Sequence, residues 1–143
     1  MSLTARQKSL ILAGALLFLF GLLQGAVLQT FANPPMGLSA HLTAVQSGMA
    51  LMIAGAIWPA VSLGAIFANL ARWTIMIGMY GLWLGLTLSA ATGASKVLPI
   101  AGAGYSADQM TENIVSILVL GSSGLMTVGW LLVVIGLVRS RPT

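Results

Sequence analysis

The stretch Leu10–Phe31, LILAGALLFLFGLLQGAVLQTF, is broken only by small glycines and by Gln24, Gln29 and Thr30. About 20 apolar residues rising ~1.5 Å each cross a hydrocarbon core of ~30 Å, so the stretch reads as a full membrane span. It is too long for the apolar region of a signal peptide, and no small-x-small site with a polar chain behind it follows. The rest of the chain repeats the theme. Of its 143 residues 58% are hydrophobic and only 6% charged, whereas a soluble domain is about a quarter charged. Mean hydropathy is +1.00. Six basic and two acidic residues cannot cover a water-facing surface, which excludes a soluble enzyme, a disordered tail and a secreted disulfide scaffold. Cysteine is absent, which removes thiolate nucleophiles, disulfides and Cys-ligated metals. The basic residues stand singly or in pairs between apolar runs, so no nucleic-acid partner is expected.

Outward from this first span, three more follow. Asn33-Pro34-Pro35 is read as the stop of a helix over about 9–31, because proline offers no amide and restrains its predecessor. Ser39 is the expected N-cap of a second helix over about 39–68, kinked at Pro59. Arg72 and Trp73 mark an interface, and a third helix is expected over about 73–91. The Gly- and Ala-rich segment from Thr92 to Tyr105 is the one long connection. Ser106 and Gln109 then have the spacing of a capping box opening a fourth helix over about 107–138. The fold class is therefore all-α integral membrane, a four-transmembrane-helix bundle forming a single domain over 1–143. Arg6, Lys8, Arg72, Arg139 and Arg141 fall on one side and Lys96 on the other, which predicts cytoplasmic termini in a bacterial-type inner (plasma) membrane.

Apolar surface does not drive association among lipid tails, so close backbone approach and buried polar groups must hold the helices. Gly21-x-x-x-Gly25 and Gly81-x-x-x-Gly85 each put two glycines on one face, and Gly48, Met52 and Gly55 form a smooth strip. Four short helices enclose little interior, so a cofactor site would need a neighbouring subunit.

Few side chains can carry chemistry. His41 is the only histidine. Three readings stand: an interfacial side chain bonded to a loop carbonyl, a general base, or a ligand of metal or haem iron. Zinc wants three or four protein ligands, whereas haem needs only one, and without a CxxCH motif it would be held non-covalently. Glu112, Ser116, Ser123 and Thr127 share one side of the fourth helix, with Asn113 beside Glu112. The hydroxyls either line a site or bond their own i−4 carbonyls. A carboxylate near apolar depth must be paired, hydrated or used, and Lys96 is a candidate partner. Tyr80, Trp83 and Thr87 recur at helical spacing on the third helix, as aromatic packing or as the lining of a cavity.

The segments Asn33-Pro-Pro-Met-Gly-Leu-Ser-Ala-His41-Leu42, Tyr80-Gly81-Leu82-Trp83 and Leu98-Pro99-Ile100-Ala101-Gly102-Ala103-Gly104 resemble those of the small four-span membrane isomerases typified by hydroxylaminobenzene mutase, with styrene oxide isomerase as a more distant relative. The likeness extends over nearly the whole chain. It implies a homotrimer with haem b (ferric) between protomers, His41 as axial ligand, and an iron acting as Lewis acid without net redox. The expected reaction is the intramolecular rearrangement of a small apolar aromatic substrate entering from lipid, either an arylhydroxylamine or an aryl epoxide. His41, Ser116 and Trp83 are then expected to bind the cofactor, and Tyr80, Ser47, Glu112 and Asn113 to serve catalysis. The chain departs from the family pattern where Ser47 and Gly85 replace asparagines. An amide that orients substrate would be replaced at Ser47 by one hydroxyl donor and at Gly85 by none. A b-type haem protein for sensing, haem handling or electron transfer, and a cofactor-free structural or small transport protein, are the alternative readings.

Overall fold

A computed structural model describes residues 2–140 of the chain, so Arg141 lies outside the described residues. Four helices account for most of it: α1 (Ala5–Gly25), α2 (Pro34–Ile57), α3 (Ala65–Thr92) and α4 (Gln109–Val138). Each is long and apolar enough to cross a membrane, and no strand occurs among the described residues. α1 packs chiefly on α2 and α3 chiefly on α4, while α2 and α3 join the two hairpins. A core of Leu10, Leu17, Leu51, Ile75 and Val133 runs through these seams.

The close α1–α2 crossing comes from two glycines. A Cβ on Gly48 would lie 2.6 Å from the Phe18 amide nitrogen and 2.7 Å from the Gly14 carbonyl oxygen. Backbone meets backbone there, and neither helix can yield without separating. The packing expected of Gly21 and Gly25 also lies on this seam, but Gly25 has a more specific neighbour, described below.

The helix ends differ from the sequence expectation in instructive ways. α1 ends at Gly25, before a short 3-10 turn over Leu28–Thr30, instead of running to 31. Asn33-Pro34-Pro35 starts α2 where a stop was expected, because proline is well suited to a first turn whose amides are unpaired anyway. Asn33, not Ser39, is the N-cap, its Oδ1 accepting from Met36 N at 3.0 Å; Ser39 instead donates to the Pro35 carbonyl. At Pro59 the helix ends and does not kink. A 3-10 turn over Trp58–Ala60 leads to a non-helical link at 61–64, whose Ser62 amide is satisfied by the Gly136 carbonyl at 2.9 Å. α3 therefore begins at Ala65, eight residues before the expected start, and Arg72 and Trp73 lie inside it. Asp108, not Ser106, caps α4: its Oδ1 accepts from the Met110 and Thr111 amides. The Thr111 hydroxyl and these amides hold the exposed Asp108 carboxyl below the usual carboxylate range.

Asn33 does more than cap. It is fully buried, its amide nitrogen donates to the Ala101 carbonyl at 3.0 Å, and its backbone N–H donates to Ala90 O at 2.9 Å. One side chain thus fixes the start of α2 and the long 93–108 connection together. We expect Asn33→Ala to cost about 2–3 kcal/mol, since a cap and a buried tether are lost at once. Asn33→Ser, which keeps a cap oxygen, should recover about half of that. Thermal unfolding in detergent measures both.

Candidate functional site

His41 stands in the second turn of α2 on the flank that meets α1. Its Nδ1 lies 2.7 Å from the Gly21 carbonyl oxygen. A carbonyl only accepts, so Nδ1 carries a proton, and in the neutral ring Nε2 then keeps its lone pair. The ring fits against Gly25: a Cβ there would lie 2.8 Å from His41 Cε1 and 2.9 Å from Nδ1. Gly21 and Gly25 are thus a notch of α1 shaped for this imidazole, one supplying an acceptor and the other room. Gly25→Ala should push the ring out and break its bond to Gly21. With one histidine in the chain, a side-chain ¹⁵N spectrum tests this directly: a single Nδ1–H tautomer in the wild type and a tautomer mixture in the variant.

One residue away on α1, Gln24 turns toward α3. Its carbonyl oxygen accepts from Trp83 Nε1 at 2.7 Å, and its amide donates to Thr87 Oγ1 at 3.1 Å. Phe20 stacks on Trp83, with ring centroids 5.6 Å apart and planes 7° from parallel. Tyr80 meets Trp83 edge-on at 6.4 Å. Phe20, Gln24, Trp83 and Thr87 are therefore joined on the α1–α3 seam, within a turn of the notch that holds His41. Sequence reasoning missed Gln24 and Phe20. The available signal was Gln24 itself: a glutamine within an apolar span needs partners, and these are its partners.

The other expected site residues are not brought to this place. The Tyr80 hydroxyl donates to the Ala13 carbonyl at 2.8 Å. Ala13 lies eight residues before Gly21, roughly 12 Å along α1, so the phenol sits at another depth than the imidazole. Ser47 is buried on α2, six residues beyond His41. Gly85 faces α4, where a Cβ would come within 3.1 Å of Leu118 Cβ and Val119 Cγ2. A side chain there would require Leu118 and Val119 to give by a few tenths of an ångström, so glycine suits this close approach of α3 to α4.

Glu112 is buried in the first turn of α4 and acts on the connection. Its carboxylate accepts from the Ser95 amide at 3.0 and 3.1 Å, Lys96 N at 2.9 Å and Ala107 N at 3.2 Å. Lys96 meets it through the backbone, and the Lys96 side chain is exposed. Asn113 is exposed and accepts from Gln109. The stripe on α4 takes the local option: Ser116, Ser123 and Thr127 each donate to a carbonyl four residues back, Ser116 to Glu112 O at 2.6 Å.

Among the described residues no three His, Cys, Asp or Glu side chains gather where they could hold a metal. A lone imidazole with a free Nε2 instead suits a cofactor that brings its other donors. Its Nδ1–H bond to a carbonyl is the supporting contact common to metal-binding histidines. Haem therefore fits the residues present.

Four helices of spanning length, with the His41 notch on the α1–α2 seam and the Gln24–Trp83 bridge on the α1–α3 seam, define a small all-helical protein with one clustered polar site. The family model of styrene oxide isomerase matches residues 6–138. Hydroxylaminobenzene mutase HabA of Ectopseudomonas oleovorans is 33% identical over 134 residues, covering 93% of this chain and 99% of the relative. Hydroxylaminobenzene mutase HabB of the same organism is 37% identical over 136 residues, covering 94% of this chain and 82% of the relative. The chain belongs to the styrene oxide isomerase family and is an isomerase. No solved structure matches it at a significant level.

Proposed function

We propose that the protein is a haem b-dependent, membrane-embedded intramolecular isomerase whose substrate is a small aromatic N–O or C–O compound. The observation that carries this is the His41 ring, tautomer-fixed by Gly21 with Nε2 free. His41 would hold the iron, Gly21 would keep the imidazole in its donating form, and Gly25 would leave room for the ring. Bound there, ferric haem supplies a Lewis acid that polarises the substrate's heteroatom bond without net redox. The Phe20–Trp83 stack, anchored by Gln24, offers an aromatic wall one helix face away. An arylhydroxylamine-to-aminophenol rearrangement is favoured over an aryl epoxide-to-aldehyde one, because the two curated relatives are named as hydroxylaminobenzene mutases.

His41 is half-buried, and the clefts at the two ends of the bundle are lined by other residues. A second copy of the chain covering the α1–α2 flank would enclose the cofactor, in keeping with a homotrimer. The length and apolar outer faces of the four helices support a membrane location, which we take to be a bacterial-type inner membrane. Its cationic end, with Arg6, Lys8, Arg72 and Arg139, favours a cytoplasmic N-terminus by the positive-inside rule. Substrate would then enter from lipid. Product analysis with haem-loaded protein tests the reading. Rearrangement of an arylhydroxylamine supports it; no rearrangement of either substrate class by protein that retains haem would leave a binding role only.

A further inference from the structure

Arg6 and Arg72 both reach across the α1–α3 seam at the N-terminal end, and both finish on neutral partners. Arg6 Nε donates to Asn69 Oδ1 at 3.2 Å, and Arg72 Nη1 donates to Ser9 Oγ at 3.3 Å. Ser9 in turn donates to the Arg6 carbonyl at 2.9 Å, which ties the two arginines into one patch. Arg72 Nε is enclosed without any partner. The Arg72 guanidinium stands over the Trp73 ring, 5.0 Å from its centre, and Trp73 is half-exposed.

Among the described residues no carboxylate answers this patch. The two acidic residues of the chain, Asp108 and Glu112, both sit at the other end, one capping α4 and the other holding loop amides. Two guanidiniums, one of them part-enclosed, repel each other unless an anion compensates them. Arginine's planar fork matches the oxygens of a phosphate. Beside Arg6, a mostly apolar open cleft of about 460 Å³ is framed by Thr4, Ala5, Trp58 and Pro59. An exposed tryptophan next to the charge is typical of headgroup depth.

We propose that Arg72 and Arg6 form a binding site for the phosphate of an anionic phospholipid, its glycerol end resting in the Trp58–Pro59 cleft. The shared chemistry is that of a phosphate anion, and the apolar cleft alongside favours a lipid over free phosphate. The site rests on the membrane placement proposed above and is independent of haem.

The test uses full-length protein in neutral detergent, stripped of lipid, with thermal midpoints and native mass spectra recorded after each addition. Phosphatidylglycerol should raise the midpoint by on the order of 5 °C and persist as a discrete adduct, as a ligand of the native state must. Phosphatidylcholine and inorganic phosphate should each shift it by less than about 1 °C. Arg72→Lys, which keeps the charge but loses the fork, should remove more than half of the phosphatidylglycerol response. Arg6→Gln gives a second reading if that variant folds poorly. Lys8→Gln, an exposed cation at the same end, should leave the response unchanged. An equal response to phosphatidylcholine, an undiminished response in the arginine variants, or the same loss in Lys8→Gln would overturn the site. An equal response to inorganic phosphate would overturn the lipid assignment in favour of a free-anion site.

Discussion

His41→Ala is expected to lower haem retention at least about 100-fold and to abolish isomerisation, while the four helices stay folded. Loss of a supporting contact to a ligand histidine already costs roughly 10–100-fold in metal affinity, and here the proposed ligand itself is removed. The fold should tolerate the change because the ring fills a notch at the margin of the α1–α2 seam, while the seam is locked further along at Gly14 and Gly48. Added imidazole should restore part of the haem spectrum, since the vacated notch is cut for that ring. Absorbance of purified protein and circular dichroism separate the two effects. Unchanged spectra in the variant would show that another side chain is the ligand.

Glu112→Gln is expected to destabilise the protein by about 2–4 kcal/mol, with turnover per folded molecule kept within about threefold. Three loop residues point their amides at this carboxylate. Glutamine keeps one acceptor oxygen and turns an NH2 group toward donors, leaving at least one amide unpaired. The 93–108 connection should then become protease-sensitive before the helices melt. Lys96→Met should be nearly neutral, because the contact of Lys96 with Glu112 is made by its backbone N–H. If Gln kept stability and lost turnover, Glu112 would belong to the chemistry.

The contrast between these residues shows what a sequence can and cannot carry. The number of spans was legible because hydropathy is a property of each segment alone. His41 was legible as the only imidazole in the chain. Its tautomer was not, because the deciding acceptor is a main-chain carbonyl twenty residues earlier, and carbonyls have no sequence signature. Pro34 and Pro35 were misread because a proline pair can end one helix or begin the next, and the buried side chain of Asn33 decided between them. Pro59 was misread for the complementary reason. A kink was expected to avoid unpaired backbone groups, but the Gly136 carbonyl on α4 supplies a partner to the link. The hydroxyls of α4 have the periodicity of a polar lining, but the sequence does not show that each is bonded to the carbonyl four residues back on its own helix. Two of the stretches that carry the family resemblance meet where Asn33 holds Ala101. That part of the signature maintains architecture, and it holds the first turn of the helix from which His41 projects.

The division into an α1–α2 hairpin and an α3–α4 hairpin, jointed at the short 61–64 link, bears on how the protein is made. A ribosome delivers α1 and α2 first, and the glycine crossing between them requires no residue of α3. With the membrane placement proposed above, each hairpin can leave the insertion machinery as a finished pair. The aromatic and glutamine bridge from α1 to α3 closes only when the second pair docks on the first. Two polypeptides divided within the link, co-expressed in one cell, are accordingly expected to find each other in the bilayer and rebuild the seam.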